Sequence, residues 1–525
     1  MQVRGDCERW CGFGNLCWGI PRANQPLYRP TVSEKEVKFA FEVKDTDLLG
    51  RVGTLRVGTK TIETPFMFPV IHPVNQLVPT DELASMGFKG LMTNSYIIHS
   101  RRRQEALDKG IHKLLSFDGV FMTDSGGYQV LEYGDLEVGY ADVAAFQADI
   151  GSEIAVTLDR PTGYPQSRSV ALETVDYSYK NADLTLKEFG DRDTVWVGPI
   201  QGGLYSDLVR KSAGSLVGSG FEFLALGSPV QVMESYMFAD LVRMIMAARN
   251  SIPYSTPLHL FGAGHPLTMS LAVALGCDTF DSASYILFAR GGRYMTRGGI
   301  LSLQSMKYLP CSCPVCSRES VESLLKLEHP DRTRLLATHN LWVLREELEA
   351  CKEAISEGRL WDLVEERSMA HPRLREAFLE LSRYSEALEA GTPPMKDHGL
   401  FVRSSVDLLR PEVLSAQKRL ARASKRSSAA AYLRADGEGR PSTRPRKGQD
   451  VYDKHPVLGP VPVELQFSYP IGQTEVGSFV PTPSVKESKR RLKNAGYKIV
   501  SAETDEVKGV VRSRRTRRGA SPSPR

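Results

Sequence analysis

The sequence holds few cysteines and no long hydrophobic run. Eight Cys in 525 residues are too few for a disulfide-stapled scaffold, so a reducing, cytoplasmic setting is expected. No stretch approaches the about 20 consecutive apolar residues that a membrane-spanning helix requires, which excludes such a helix. The first twenty residues carry charges and three Cys without a continuous apolar segment, which argues against a secretory signal.

The composition is that of an ordinary globular protein, with 41% hydrophobic and 25% charged residues. At roughly 100–200 residues per domain, the length predicts about three or four domains. The formal net charge of +5 is unevenly distributed, because residues 411–450 hold ten Lys and Arg against four acids and residues 486–525 hold thirteen against four. Such tracts are either solvated surface or the mark of a polyanionic partner, and composition does not decide between them.

Residues 1–36 are predicted to form a flexible N-terminal extension, because the segment is Pro-rich and has no hydrophobic periodicity. Cys7, Cys11 and Cys17 have a spacing that matches no common metal signature, so no metal is assigned to them. A non-native upstream start is the alternative interpretation of this segment.

Eight short β-rich runs alternate with helical segments between residues 37 and 300. The candidate helices include residues 141–151, 167–189, 206–219 and 232–250. Eight such pairs in about 250 residues predict a (β/α)8 TIM barrel. An open doubly wound sheet is the alternative, although no run is followed by a G-x-G-x-x-G loop. The β-rich runs are residues 64–73, 90–99, 120–129, 153–162, 194–203, 221–230, 257–266 and 278–285.

Polar groups follow five of these runs, at the strand ends where a barrel carries its active site. The five groups are Asp124, Asp159, Gln201, the Gly227 backbone and Asp281. An isolated Asp at a strand end often caps the helix that follows it. Three convergent carboxylates with an amide between them favour a functional site instead.

A cysteine-rich segment near the end of the predicted barrel domain, residues 37–345, is typical of a zinc site. Cys311, Cys313 and Cys316 are followed by His339, and three thiolates with one imidazole suit tetrahedral zinc. Four protein ligands leave no position for a catalytic water, so one structural zinc ion per chain is expected. Three free thiols in a loop are the alternative.

The chain beyond the barrel is predicted to contain four segments. Residues 346–390 have the 3.6-residue period of amphipathic helix, and residues 391–460, rich in Pro, Gly, Ser and Arg, are predicted to be a basic linker. Residues 461–508 are expected to form a small folded element. The last residues, 509–525, are predicted to be a disordered basic tail.

Taken together, these motifs resemble those of the tRNA-guanine transglycosylases. The resemblance rests on DSGGYQ, QGG, ALGSP, FDSASY and the Cys3His set, in that order. The stretches GCDTFDSASYILFARGGRYMTRGG and PCSCPVC…ATHNL are similar to the archaeal branch, the archaeosine tRNA-ribosyltransferases, which act on guanosine 15 in the D-arm of tRNA. The resemblance is strong over residues 37–345 and extends weakly to residues 460–475.

The resemblance implies a pentosyltransferase that replaces a base by breaking the bond between C1′ and the base nitrogen. By resemblance Asp281 is the nucleophile that holds the ribose covalently, as in a retaining glycosidase. Asp124 is then the general acid/base, which protonates departing guanine and deprotonates the incoming base. The reaction requires no redox cofactor, ATP or catalytic metal.

The resemblance also implies how the base is recognised. Asp159 accepts hydrogen bonds from the N1–H and 2-amino edge, while the Gln201 amide and the Gly227 backbone N–H donate to O6. Tyr128 and Phe261 are similar to the family's stacking residues, and each is otherwise an ordinary core candidate. The expected incoming base is 7-cyano-7-deazaguanine (preQ0), the precursor of archaeosine.

tRNA is the macromolecular partner that the resemblance implies, and a homodimer is the implied assembly. Archaeal members usually carry a PUA domain that holds the tRNA acceptor end, and the final segment here is too short for one. The basic C-terminal region or a separate PUA-domain protein would then hold the tRNA. Two rival functions are an inactive paralogue or archaeosine-maturation enzyme and a non-enzymatic tRNA-binding subunit. The three carboxylates argue against both rivals.

Overall fold

The structure is a computed structural model, and it describes most of the chain after the predicted N-terminal extension. That extension, Tyr128 and the predicted basic tail lie outside the described residues. No helix in the described part of the chain is long and apolar enough to cross a membrane. The described residues are 38–127, 139–423, 430–434, 449–478 and 480–500.

Three antiparallel strands precede the barrel, and the sequence does not predict them. They are β1 (Phe39–Asp47), β2 (Gly50–Val57) and β3 (Lys60–Thr64). β2 lies at the centre of this sheet and pairs with both neighbours. The charged residues scattered along β1 interrupt the apolar alternation by which a strand is identified from sequence.

Eight parallel strands then form the predicted barrel. They pair in chain order, and the last strand pairs with the first. The first two strands are joined by a single bridge between Val70 and Met92, which nearly closes the barrel. Each strand lies within one of the predicted β-rich runs. The strands are β4 (Phe66–Pro69), β5 (Gly90–Asn94), β6 (Val120–Asp124), β7 (Ile154–Val156), β8 (Val195–Ile200), β9 (Phe223–Leu226), β10 (Leu258–Leu260) and β11 (Thr279–Ser282).

Helices alternate with these strands along the chain. The helix predicted over residues 232–250 is divided, because Tyr236 has a left-handed backbone with φ of +57°. The described helices of the barrel are α1 (Thr80–Ser85), α2 (Ser95–Leu115), α3 (Tyr140–Asp149), α4 (Arg168–Phe189), α5 (Ser206–Gly218), α6 (Val230–Glu234), α7 (Phe238–Arg249), α8 (Pro266–Ala274) and α9 (Ser284–Arg290).

The N-terminal sheet plugs one end of the barrel. Leu55, Val57 and Ile62 of the plug join a buried apolar cluster with interior strand residues such as Phe68 and Phe223. Burial of this surface stabilises the closed end of the barrel. The plug covers the N-terminal ends of the strands and leaves their C-terminal ends open.

A hairpin and several helices follow the barrel. The hairpin, β12 (Arg293–Thr296) with β13 (Gly299–Ser302), precedes the predicted zinc ligands. The amphipathic segment predicted at residues 346–390 comprises the end of one long helix and three shorter ones. A left-handed glycine, Gly358, follows the long helix. The helices are α10 (Val321–Lys326), α11 (His329–Ser356), α12 (Leu360–Ser368), α13 (Pro372–Glu380) and α14 (Ser385–Gly391).

Residues 391–460 differ from the predicted linker, because they contain regular structure and contribute to a core. Val413 and Ala416 are buried together with Leu400 and Val402. Because these few apolar residues are scattered among many polar ones, the overall composition of the segment does not reveal them. The C-terminal elements are β14 (Leu400–Val402), α15 (Pro411–Ala423), β15 (Ala430–Arg434), β16 (Gln449–His455), β17 (Gly459–Pro462), β18 (Thr474–Val476), α16 (Val485–Asn494) and β19 (Lys498–Val500).

A buried group of charges joins this C-terminal region to the plug. Lys396 Nζ lies 2.7 Å from Asp47 Oδ1 and 2.6 Å from Glu412 Oε1. Lys396 Nζ also donates to Gly358 O at 2.9 Å. All three side chains are at most 4% exposed, so each charge depends on its partners.

Candidate active site

The C-terminal ends of the barrel strands surround a cavity of about 1100 Å³. The structure brings together six of the seven residues predicted to bind or transform the base. The seventh, Tyr128, lies outside the described residues. The six that line the cavity are Asp124, Asp159, Gln201, Gly227, Phe261 and Asp281.

Asp124 is the last residue of β6, and its side chain keeps some exposure to the cavity. Asn94 Nδ2 donates to Asp124 Oδ2 at 2.9 Å, while Asn94 Oδ1 caps α2 by accepting from the Ile97 N–H. Burial and the nearby Asp281 carboxylate raise the pKa of Asp124 to about 6. Such a group populates both protonation states near neutral pH, which suits general acid/base chemistry. Asn94 is not predicted from sequence, although it also ends a barrel strand.

Asp159 follows β7 and is buried against an amide. Gln201 Nε2 donates to Asp159 Oδ2 at 2.7 Å. Gln201 Oε1 accepts from the Thr162 N–H at 3.0 Å and from Ser228 Oγ at 2.9 Å, which fixes the orientation of the amide. Burial and the nearby Asp124 carboxylate raise the pKa of Asp159 to about 7.

Gly227 lines the cavity, but the structure contradicts the role predicted for its N–H. That N–H donates to Ile200 O at 2.9 Å, where β8 and β9 pair, so it is not available to a base. A Cβ at residue 227 would lie 2.3 Å from Gln201 Nε2, so the glycine makes room for the amide. The next residue, Ser228, has φ of +63°, and nothing in the described part of the chain accepts its N–H. Ser228 therefore offers the free backbone donor at this edge.

Asp281 lies in β11 with one of its oxygens engaged. Oδ1 accepts from the Gly262 N–H at 2.8 Å and lies 3.1 Å from His259 Nε2. The ring of Phe261, which follows β10, packs edge-on against His259 with centroids 4.9 Å apart. His259 is not predicted from sequence because a single His in a β-rich run is typical of core. Its position two residues before Phe261, on the same face of the strand, is the signal that identifies it.

No lysine or arginine among the described residues forms an ion pair with Asp124, Asp159 or Asp281. Cations occur instead on the exposed part of the cavity wall, where Arg290 and Arg293 lie. The cavity therefore has an acidic floor, and its exposed rim carries Arg290 and Arg293 together with one acid, Glu234. A polyanion would meet the rim first, and a neutral base would fit the floor.

The predicted zinc ligands also lie together. Ligand atoms of Cys311, Cys313, Cys316 and His339 are all within 4.8 Å of one another and could hold a metal ion. His339 Nδ1 lies 3.5 Å from Cys313 Sγ and 3.4 Å from Cys316 Sγ. Tetrahedral zinc with ordinary bond lengths separates S and N by about 3.6 Å, so the donor set fits. His339 Nε2 contacts Met295 O at 2.9 Å, which leaves Nδ1 as the ligand atom.

Asn340 connects this cluster to the active site. Its Nδ2 donates to Tyr285 O at 3.0 Å and to Arg293 O at 3.2 Å, and its Oδ1 accepts from the Met295 N–H at 2.9 Å. Tyr285 lies in α9, the helix that begins just after Asp281. The metal-ligand helix is thereby hydrogen-bonded to the segment that carries the carboxylate.

Comparison with known proteins agrees with this geometry. A family profile described as queuine tRNA-ribosyltransferase matches residues 45–373. The chain belongs to the tRNA-guanine transglycosylase family. It is 38% identical to the tRNA-guanine(15) transglycosylase of Sulfolobus acidocaldarius, over 86% of this chain and 92% of that protein. The enzymes of the same name from Thermococcus kodakarensis and Aeropyrum pernix are 41% and 46% identical, over 84% and 67% of this chain and 72% and 69% of theirs.

Membership of the tRNA-guanine transglycosylase family makes the protein a pentosyltransferase that acts on tRNA, so the predicted enzyme class is confirmed. The predicted family and the predicted barrel are confirmed as well. The transglycosylase profile covers the plug from Asp45, the whole barrel, the Cys3His cluster and the helices through α12. All the described residues of the candidate active site therefore lie inside the family region.

Proposed function

We propose that this transglycosylase exchanges guanine 15 in the D-arm of tRNA for preQ0, the first step of archaeosine formation, through a covalent Asp281–ribose intermediate. The observation that carries the proposal is the convergence of three carboxylates on one cavity, where no Lys or Arg of the described residues forms an ion pair with them. Relatives named for guanine 15 support that position in tRNA. Acids held without a counter-charge cost stability, so they are typical of sites where function requires them.

In the first half-reaction, a carboxylate oxygen of Asp281 attacks C1′ of the target nucleotide. The C1′–N9 bond breaks, and its electron pair leaves with guanine. Protonated Asp124 supplies the proton that the departing base takes up, so the base leaves neutral. The product is an ester between Asp281 and the ribose, with Asp124 left as a carboxylate.

The second half-reaction runs the same steps in reverse. The Asp124 carboxylate removes the N9 proton of the incoming preQ0, and N9 attacks C1′ on the face that guanine left. The ester bond breaks and Asp281 departs as a carboxylate. Two inversions retain the configuration at C1′, as in a retaining glycosidase.

Base recognition follows from the donors and acceptors that surround the cavity. In its ionised form, which a pKa of about 7 leaves about half populated at neutral pH, Asp159 accepts from the N1–H and 2-amino edge that guanine and preQ0 share. The second amide hydrogen of Gln201 and the N–H of Ser228 donate to O6. Phe261 stacks on one face of the base, and Tyr128 is proposed for the other.

We also propose that the Cys3His cluster binds one structural zinc ion. Bound zinc would supply a closed coordination shell that fixes the segment holding Cys311, Cys313 and Cys316 against α11. His339 contacts Met295 O in β12, and Asn340 donates to Tyr285 O in α9, so the constraint would reach both the hairpin and the helix that follows Asp281. Zinc would influence Asp281 only by fixing the position of the segments around it.

The basic C-terminal chain is proposed to assist tRNA binding. α16 is part of a folded sheet region, because Leu492 is buried with Ala431 and Tyr452. A truncation that keeps α16 and β19 therefore begins at residue 501. Residues 501–525 hold seven Lys and Arg against three acids, and each neutralised phosphate steepens the salt dependence of binding.

Deleting residues 501–525 should weaken tRNA binding and flatten its dependence on salt concentration. The matched control replaces the seven cations by Gln in the full-length chain and should reproduce the effect. Affinity is measured across a salt series. If the salt dependence of tRNA affinity is the same for all three proteins, the result would favour a separate PUA-domain protein that binds the tRNA.

The exchange itself is tested with a tRNA transcript and radiolabelled preQ0. We expect label to enter a transcript that has guanine at position 15 and not a matched transcript with adenine there. A third transcript, altered only at the wobble position, should be labelled normally. Labelling that follows the wobble base, or no labelling of any transcript, would overturn the proposal.

A further inference from the structure

His259 is a buried polar side chain that the proposed mechanism does not use. It lies on β10 inside the barrel and has no exposed surface. The rings of Phe68, Phe223 and Phe261 pack around it, at centroid distances of 6.3, 6.4 and 4.9 Å. An imidazole in such an apolar setting lowers stability unless both of its nitrogens are hydrogen-bonded.

Both nitrogens of His259 have partners on the neighbouring strand. Nδ1 lies 2.9 Å from Thr279 Oγ1, and Nε2 lies 3.1 Å from Asp281 Oδ1. A carboxylate only accepts hydrogen bonds, so the hydrogen must be on Nε2. Nδ1 then accepts from the Thr279 hydroxyl, which is itself buried. The Thr279 hydroxyl thus fixes the tautomer in which His259 donates to Asp281.

The two oxygens of Asp281 are consequently unlike. Oδ1 accepts from His259 and also from the Gly262 N–H at 2.8 Å. Nothing in the described part of the chain donates to Oδ2. Because Oδ1 is held at two points, rotation of the carboxylate about its Cβ–Cγ bond is restricted.

We propose that His259 is a positioning residue that anchors Oδ1 of Asp281 and so presents Oδ2 to C1′ of the nucleotide. The proposal rests on the proposed function, in which Asp281 is the nucleophile. The same hydrogen bond assists the second half-reaction, since the Nε2–H stabilises the charge that Asp281 regains when the ester breaks. His259 neither forms nor breaks a covalent bond, and the atom balance of the exchange is unchanged.

The test compares two substitutions at residue 259. His259→Phe keeps the ring and removes the donor, whereas His259→Gln retains an N–H at a similar distance from the backbone. A misplaced nucleophile costs about 100-fold in rate, so we expect His259→Phe to lower kcat for guanine exchange by about that factor. KM for guanine should not change, because Asp159 and Gln201 bind the base. His259→Gln should recover at least about tenfold of the loss, since it restores the donor.

A purely structural role predicts a different result. It would lower the melting temperature and the yield of folded protein, while folded His259→Phe would keep the wild-type kcat; that outcome overturns the inference. If His259→Phe does not fold, Thr279→Val removes the hydroxyl that fixes the tautomer at nearly constant volume. A folded Thr279→Val protein should then show the kcat loss with unchanged KM, and a wild-type kcat would overturn the inference.

The inference and the proposed function fail in distinguishable ways. If the wild-type enzyme exchanges guanine and the His259→Phe protein is equally active, only the anchoring role is refuted. Wild-type enzyme that does not exchange guanine refutes both. The rate at which wild-type and variant enzymes form a denaturation-stable complex with tRNA gives a second readout, and we expect the His259→Phe rate to fall with kcat.

Discussion

The two ends of the barrel hold buried acids in opposite ways, and strand β11 displays the contrast directly. Asp278 precedes the strand and forms a fully buried ion pair with Arg51 of the plug. Asp281, three residues further along, has His259 and Gly262 as its described donors and no cation. Two carboxylates three residues apart, one just before β11 and one within it, therefore have partners of different chemistry.

Strand β7 repeats the contrast. Burial would raise the pKa of Glu153, which precedes the strand, but hydrogen bonds from His112 and Lys60 outweigh it and hold the pKa below its usual range. Asp159, which follows the strand, has the Gln201 amide as its partner, and its pKa is raised to about 7. Glu153 at the plugged end is thus stabilised as an anion, whereas Asp159 at the open end is left able to change protonation state near neutral pH.

The largest expected effects come from replacing Asp278, just before β11, and Asp281, within it, by the matching amide. Asp278→Asn leaves Arg51 buried without its counter-charge, so the free energy of unfolding should fall by about 3–5 kcal/mol. Asp281→Asn should leave the melting temperature nearly unchanged and lower guanine exchange by more than about 1000-fold, because an amide is a poor nucleophile. Thermal unfolding and an exchange assay on both proteins check this. Equal destabilisation by the two substitutions would refute the contrast.

Loss of a metal ligand should lower both the stability of the protein and its exchange activity. Cys313→Ala is expected to lose most of the bound zinc and to lower the melting temperature, because the ligands hold the post-barrel segment against α11. Exchange activity should fall as well, through the Asn340 contacts to α9. The control is Cys277→Ala, which alters a buried cysteine outside the cluster and should retain its zinc. Elemental analysis and thermal unfolding measure the outcome; full stability without zinc would contradict a structural role.

Asp124 and Asp159, the two acids proposed to contact the base, should affect different kinetic parameters when each is replaced. Asp124→Asn removes the proton donor and should lower kcat by about 100- to 10,000-fold. Asp159→Asn removes an acceptor that the base needs and should mainly raise KM for the base, by about 10- to 100-fold. Steady-state exchange kinetics at varied guanine concentration distinguish them. The same profile for both variants would show that the division of roles is wrong.

The smallest effect expected is a gain of thermal stability at high pH when Asp159 is replaced by Asn. The pKa of Asp159 is about 7 in the folded protein, well above the ordinary 3.8 of an aspartate, so ionising it costs folding free energy. This cost is absent below the unfolded pKa, grows as the pH rises and is complete above pH about 7. Asp159→Asn should therefore raise the melting temperature by a few degrees at pH 8 and by less at pH 5. The exposed Asp118→Asn is the control, and a constant difference across pH would contradict the assignment.

Much of this architecture follows from local sequence patterns. Each barrel strand lies within a predicted apolar run, and the acids at the ends of β6 and β11 converge because parallel strands bring their C-terminal ends together. The Cys3His set is recognisable because metal ligation requires specific residue types at short spacing. These features depend on residues close together in the chain or on a regular repeat.

Other features depend on contacts that no local pattern encodes. The family resemblance implies an O6 donor at Gly227, but the pairing of β8 with β9 occupies that N–H, and no described residue accepts the N–H of Ser228. The role of His259 depends on a partner from the next strand. The folded elements within residues 391–460 depend on a few apolar side chains that meet only in three dimensions.

The most direct test of the account is to trap the intermediate. Enzyme and labelled tRNA are mixed without an incoming base, denatured, and separated by electrophoresis under denaturing conditions. The wild-type protein should give a band at the combined mass of enzyme and tRNA, and added guanine should discharge it. Asp281→Asn should give none. A denaturation-stable adduct that persists in Asp281→Asn would contradict the central claim that Asp281 is the nucleophile.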